Sequence, residues 1–241
     1  MTYCVGMLVD TGLVMLSDSR TNAGVDQINT FRKMSTFIHP GERALVMLSA
    51  GNLAITQAVI NLLHESPSEN EPSPIYRARN MFEAARVVGD ALRDIHHRDA
   101  EALKDQGHEF NATFILGGQI RGEPPRLFNV YSAGNFIEAT VDTNYFQIGE
   151  SKYGKPIIDR VISRSSSLAQ ASKCALVSMD STIRSNLSVG PPLDLAIIRR
   201  DEFRLHTHLS IDADHPYFAM IRTRWATALR EVFSSLPDPK W

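Results

Sequence analysis

Strand-like and helix-like segments alternate along this chain in blocks, and that order restricts the fold more than any single motif does. Tyr3 to Val9 and Leu13 to Ser17 are short apolar runs joined by Asp10-Thr11-Gly12, residues that tolerate positive φ, so the spacing predicts a β-hairpin. A third apolar run, Arg43 to Ser49, ends at Ala50-Gly51-Asn52, after which Leu53, Ile55, Ala58, Val59, Leu62 and Leu63 recur at helical spacing. Ser66 to Pro74 is polar and proline-rich and reads as a loop. Ile75 to Lys104 then carries one long helical pattern through Met81, Ala84, Ala85, Val88, Leu92 and Ile95. Phe110 to Ile120 and Arg126 to Tyr131 flank Arg121-Gly122-Glu123-Pro124-Pro125 and predict a second hairpin, with strands to follow at Phe136 to Val141 and Tyr145 to Ile148. Helices over Lys155 to Arg164 and Leu168 to Ser185, a third hairpin of Leu193 to Arg200 with Arg204 to Ile211, and a terminal helix from Pro216 to Phe233 complete the order.

Blocks of hairpins between blocks of paired helices do not give the single-crossover rhythm of a parallel sheet. They predict an α+β fold in which antiparallel sheets carry helix layers outside. The chain has 241 residues, 43% of them hydrophobic, with no internal repeat and no linker, so residues 1–241 are expected to form one domain. A net charge of -2, from 27 acidic and 25 basic residues, offers neither a basic field for nucleic acid nor a polybasic membrane anchor. Cys4 and Cys174 form no C-x-x-C pair or zinc spacing, which suits a reducing compartment. Asp10 and Thr11 interrupt the first apolar stretch too early for a signal peptide, and no run approaches the ~20 residues of a membrane span, so a cytoplasmic protein is expected.

Thr2 follows the initiator methionine. A threonine with a free α-amine carries nucleophile and base on one residue, because an α-amine titrates near ~7.7 to 8.0. Such a nucleophile needs a fixed positive charge beside the amine, an anion to hold that charge, and N–H donors for an oxyanion. Asp18 in Leu16-Ser17-Asp18-Ser19-Arg20, Lys33 in Phe31-Arg32-Lys33-Met34, and Gly51 at the predicted start of the first helix are the candidates.

The segments Thr2-Tyr3-Cys4-Val5-Gly6, Leu16-Ser17-Asp18-Ser19-Arg20, Lys33 and Leu48-Ser49-Ala50-Gly51 resemble the proteasome β-subunit family, which includes a bacterial peptidase that works with an unfoldase ATPase. Met179-Asp180-Ser181-Thr182 through Ser185-Asn186-Leu187-Ser188-Val189-Gly190 is similar to its bacterial branch called Anbu, the ancestral β-subunit. The resemblance implies a four-layer αββα sandwich of the N-terminal-nucleophile hydrolase type. It also implies a threonine-type peptidase without metal or organic cofactor, self-association into rings or open spirals, and a possible unfoldase or other regulatory partner. It further implies Thr2 as nucleophile, Asp18 and Lys33 as charged partners, the Gly51 N–H as oxyanion donor, Ser151 and Ser188 in the catalytic shell, and Arg20, Thr21, Ser49 and Ala50 as substrate-binding.

Two segments depart from the family. Where many proteasome subunits read Gly-Ser-Gly, this chain reads Gly149-Glu150-Ser151, so either Glu150 or Ser151 takes the position that contacts the terminal amine. Where the family has Asp-x-x-Ser-Gly-Gly, this chain has Ser185-Asn186-Leu187-Ser188-Val189-Gly190, which lacks the acid and one glycine. An amidohydrolase for small amides or modified peptides, or a scaffold with little turnover, therefore stands beside the peptidase reading. Gly149-Glu150-Ser151-Lys152-Tyr153-Gly154-Lys155 has phosphate-loop spacing, but Pro156 stands where Mg²⁺ ligation needs Ser or Thr. His206, His208, Asp212, Asp214 and His215 cluster without a metal-binding spacing signature, and no metal is expected there.

Overall fold

The computed structural model describes residues 1–22, 28–68 and 71–241; Glu69 and Asn70, inside the loop expected before residue 75, lie outside the described residues. The first hairpin is β1 (Tyr3–Val9) with β2 (Gly12–Asp18). β3 (Arg20–Asn22) and β4 (Ile28–Thr30) form a small two-stranded sheet. β5 (Met34–His39) and β6 (Arg43–Gly51) lead into helix α1 (Leu53–His64), α2 (Pro74–Arg77) and α3 (Met81–Asp105). Strands β7 (Ala112–Ile120), β8 (Arg126–Val130), β9 (Phe136–Glu138) and β10 (Tyr145–Gly149) precede α4 (Lys155–Val161) and α5 (Leu168–Ser185). The hairpin of β11 (Leu193–Arg199) and β12 (Thr207–Ile211) and the helix α6 (Pro216–Ser235) close the order.

Two antiparallel five-stranded sheets result, ordered β10-β1-β2-β11-β12 and β5-β6-β7-β8-β9. β1 and β6 are buried at almost every position, so they read as unbroken apolar runs: each sheet is covered on both faces. Three apolar layers account for that burial. Cys4, Met15, Val46, Leu48, Ile115 and Leu127 fill the space between the sheets. Phe37, Phe114 and Phe128 pack one sheet against α1, α2 and α3, while Tyr3, Val5 and Leu16 pack the other against α4, α5 and α6. Three apolar interfaces separate four layers, which is the α+β sandwich expected from the block order. Each large side chain fully buried in these layers stabilises by about 1.5–3 kcal/mol.

The helix expected from Ile75 to Lys104 is broken into α2 and α3. Arg43, buried on β6, donates to the carbonyls of Ile75 and Ala78, taking acceptors at the end of α2. Asn80 then caps α3, its side chain accepting from the Glu83 N–H at 2.8 Å, and Glu123 accepts the Met81 N–H. These tertiary partners override a continuous periodicity. β3, β4 and β5, which the hydrophobic pattern did not mark, owe their formation to partners: β5 pairs along β6 from Met34↔Leu48 to His39↔Arg43. β9, α4 and β12 are shorter than expected, and His206 falls just before β12.

Register positions the site. β1 lies between β10 and β2, with Tyr3 opposite Gly149 and Cys4 opposite Ser17. The start of β1 is therefore flanked by the end of β2 at Asp18 and the end of β10 at Gly149. In the facing sheet, the start of β5 meets the end of β6, where the Ser49 N–H donates to the Lys33 carbonyl at 2.9 Å. Five strand ends thus converge at one edge of the sandwich.

Candidate active site

At this edge lies a cleft of about 580 Å³ lined by residues that include Met1, Thr2, Thr21, Lys33, Ser49, Ala50, Gly51 and Glu150. Thr2 is held by its backbone: its carbonyl accepts the Glu150 N–H at 2.7 Å. Gly149 makes this approach possible. Its φ is +79°, and a Cβ there would stand 2.0 Å from the Thr2 oxygen, so a side chain would push the first strand away. One residue on, the Tyr3 hydroxyl is anchored by Gln147 at 2.6 Å and Ser178 at 3.0 Å, and burial holds its pKa above the ordinary tyrosine range.

Asp18 is fully buried. Its Oδ1 accepts from Lys33 Nζ at 2.7 Å and from the Tyr3 N–H at 3.1 Å, and its Oδ2 from the Gly190 N–H at 3.3 Å. Burial pushes the Asp18 carboxyl above its ordinary range, and the Lys33 ammonium opposes that shift first, followed by the two backbone donors. Lys33 Nζ also donates to the Arg20 carbonyl at 2.6 Å. A cation is thereby fixed at the cleft wall beside Thr2.

Gly51 is the last residue of β6, and α1 begins at Leu53 with Asn52 as its cap. This corrects the expectation that Gly51 opens the helix: the strand runs on to Gly51, opposite Ala112. Its φ is +117°, and a Cβ would meet the Asn111 carbonyl at 2.3 Å, so only glycine fits where β6 turns into α1 past β7.

Of the other residues expected in the site, Thr21, Ser49 and Ala50 line the cleft. Ser49 Oγ donates to the Lys33 carbonyl at 3.3 Å, which ties it to the same strand crossing. Arg20, Ser151 and Ser188 do not line it. The Arg20 guanidinium instead donates to the Leu187 carbonyl at 2.9 Å and packs against Gly190, bracing the loop whose N–H reaches Asp18. The Ser188 N–H donates to Asn186 Oδ1 at 2.9 Å. Between the two residues weighed for the position beside the terminal amine, Glu150 faces the cleft and Ser151 starts the turn into α4. Leu53, Thr56, Asn111 and Thr113 also line it and carry no motif signal. Thr113 was reachable only through the register that sets it opposite Ala50.

The segment with phosphate-loop spacing is the β10–α4 turn, and Gly154 in it packs against the Tyr3 hydroxyl. Among the described residues, no group of three or more His, Cys, Asp or Glu side chains is placed to hold a metal ion. Among them too, no helix is long and apolar enough to cross a membrane.

Two antiparallel sheets between helix layers, with the chain start at a cleft over a buried Asp–Lys pair, define a proteasome-related hydrolase scaffold of the N-terminal-nucleophile fold. The chain matches no family model. It is 26% identical over 211 residues to proteasome subunit beta 2 of Nitrosopumilus maritimus (strain SCM1), covering 86% of this chain and 90% of that protein. Anbu from Yersinia bercovieri superposes with a TM-score of 0.92 at 53% identity, covering 99% of both chains. The Gly-1 mutant of Anbu from Hyphomicrobium sp. strain MC1 gives 0.92 at 49% identity over 100% of each chain. The helical assembly of the Anbu complex from Pseudomonas aeruginosa gives 0.93 at 47%, over 99% of this chain and 98% of that one. The chain belongs to the Anbu (ancestral β-subunit) family.

Proposed function

We propose that this chain is a threonine-type N-terminal-nucleophile hydrolase of peptide or amide bonds, with Thr2 as nucleophile once Met1 is removed. The observation that carries the reading is the meeting of Thr2, Lys33, Ser49 and Gly51 in one cleft, with Asp18 directly behind Lys33. Thr2 Oγ attacks the substrate carbonyl, and the freed Thr2 α-amine accepts the hydroxyl proton and returns it to the leaving amine. Lys33, fixed by Asp18, favours the neutral amine through its positive charge, since like charges disfavour protonation. The Gly51 N–H is the oxyanion donor of this reading. Water then hydrolyses the acyl-enzyme, with the amine as base.

Thr21, Ser49 and Ala50 contact substrate in this scheme. Arg20, Ser151 and Ser188 act through the loops they brace. The protein works as a homo-oligomer, a proposal supported by the helical assembly of its Pseudomonas aeruginosa relative. The exposed apolar end of α6, with Leu229, Val232 and Phe233, supports contact with a further copy. A reducing cytoplasm suits its two unpaired, buried cysteines.

The test compares the parent with Thr2→Ala for peptide hydrolysis and for labelling by a threonine-directed electrophile, with intact mass reporting whether Met1 is gone. We expect the mature parent to carry one adduct on Thr2 and the variant to lose both signals. Undiminished hydrolysis by Thr2→Ala would sink the assignment.

A further inference from the structure

Glu150 is an acid at the chain start that the mechanism above does not use. Its side chain is only 11% exposed, yet it lines the same cleft as Met1 and Thr2. Two partners hold it. Asn186 Nδ2 donates to Glu150 Oε2 at 2.8 Å, and the exposed Lys152 ammonium stands 3.3 Å from Oε1. The same Asn186 amide lies 3.7 Å from the Met1 sulfur, so Glu150 and residue 1 share one neighbour. The Glu150 N–H meanwhile holds the Thr2 carbonyl at 2.7 Å. Residue 1, Thr2 and the Glu150 carboxylate therefore form one local cluster, fixed by backbone on one side and by Asn186 on the other.

Removing Met1 converts its peptide nitrogen link into the Thr2 α-amine at this place. We propose that Glu150 is a positioning residue that receives the Thr2 α-ammonium by a charge-assisted hydrogen bond and raises its pKa, setting the pH at which the amine becomes a base. The proposal rests on the hydrolase reading for its catalytic meaning, though not for its electrostatics. An opposite charge within hydrogen-bond reach favours the ammonium, whereas Lys33 favours the neutral amine. Among the described residues, the other charged groups at this edge have partners of their own: Asp18 is taken by Lys33, and Arg20 is turned to the Leu187 carbonyl. Lys152 competes with the amine for Glu150, and Arg32 pairs with Asp194 at 3.7 Å. Among the described residues, the amine is thus set between Lys33 and Glu150.

The experiment uses full chain produced behind a cleavable leader so that Thr2 carries a free amine. Acylation of that amine by acetic anhydride is followed against pH by mass spectrometry of the N-terminal peptide, for the parent, Glu150→Gln and Lys152→Ala. Glu150→Gln is near-isosteric and is expected to lower the amine pKa by about one unit; an unchanged or higher value overturns the proposal. Lys152→Ala tests it on a surface change. An amine pKa at or above the parent's supports the proposal, and one below it overturns the proposal. Because the readout is the amine, a chain that titrates as expected but hydrolyses nothing refutes the hydrolase reading and leaves Glu150's role standing. Where hydrolysis is measurable, the acid limb of kcat/KM moves to lower pH by the same interval in Glu150→Gln.

Discussion

Lys33 Nζ sits 2.7 Å from Asp18 Oδ1, with the two side chains 8% and 0% exposed. The pair joins the end of β2 in one sheet to the residue just before β5 in the other. Because Asp18 also accepts the Tyr3 N–H, the position of Thr2 and the position of the charge beside it are fixed by one carboxylate. Loss of either partner is therefore felt at the chain start as well as in the core.

Lys33→Met leaves Asp18 buried with only the Tyr3 and Gly190 N–H groups against it. Burial raises the folded-state pKa of Asp18 above the ordinary 3.8, and losing Lys33 raises it further. For an acid whose folded pKa is raised, the penalty is absent below the unfolded value and grows as pH rises above it. We expect about 3–5 kcal/mol of destabilisation at pH 7, shrinking toward pH 4, in urea denaturation at several pH values. Asp18→Asn combined with Lys33→Met should recover part of that loss.

Gly149→Ala should do more harm than Gly122→Ala, although both glycines have positive φ. Nothing lies within 4 Å of a Cβ at Gly122, whereas one at Gly149 collides with the Thr2 carbonyl. Gly122→Ala is expected to cost about 1–2 kcal/mol from backbone conformation alone. Gly149→Ala adds displacement of Thr2, read as a larger drop in Tm together with loss of electrophile labelling. Equal effects of the two substitutions would argue against the close approach.

Both thiols should be silent in the folded chain. Burial pushes the Cys4 thiol well above its ordinary range and the Cys174 thiol up to about 12, so each stays protonated through neutral pH. Reaction with a chromogenic disulfide at pH 8 is expected to be slow in buffer and to release two equivalents promptly in denaturant. Fast native reaction of either cysteine contradicts this.

Asp180, fully buried on α5, accepts from Arg184 on its own helix and from Arg222 on α6, each at 3.2 Å. Replacing both arginines by alanine strands a buried carboxylate, at a cost of about 3–5 kcal/mol, while either single change leaves one partner and costs less. Hydrogen exchange should show α6 opening in the double variant. Unaltered protection of α6 would mean that the apolar contacts of Phe218, Ile221 and Trp225 hold that helix without the ion pairs.

Much of this architecture was legible along the chain. β1 was read to its exact bounds from seven consecutive apolar residues, and α5 from an apolar pattern that the structure opens with a Ser167–Gln170 capping box. β5 was less so. β5 carries Ser35, Thr36 and His39 among its apolar residues, and only pairing with β6 makes it a strand. The break between α2 and α3 was invisible because Arg43, which takes the α2 carbonyls, lies more than thirty residues upstream.

The candidate site divides the same way. Sequence spacing singled out Thr2, Asp18, Lys33 and Gly51, since each bears a distinctive chemistry or backbone freedom near a strand end. It left Glu150 and Ser151 equal, gave no sign of Asn111 or Thr113, and marked Asn186 only as part of a segment similar to Anbu, with no role assigned to it.

The sequence by itself determined the order of strands and helices, their apolar faces and the candidates for charge and nucleophile, because periodicity, turn residues and side-chain chemistry are local properties. Only the tertiary structure decided which strand ends meet, that Glu150 turns into the cleft while Arg20 braces a loop beside it, and that Gly51 ends a strand. Those outcomes depend on antiparallel register and on partners distant in the chain, where one residue of slip exchanges a cleft-facing side chain for a buried one.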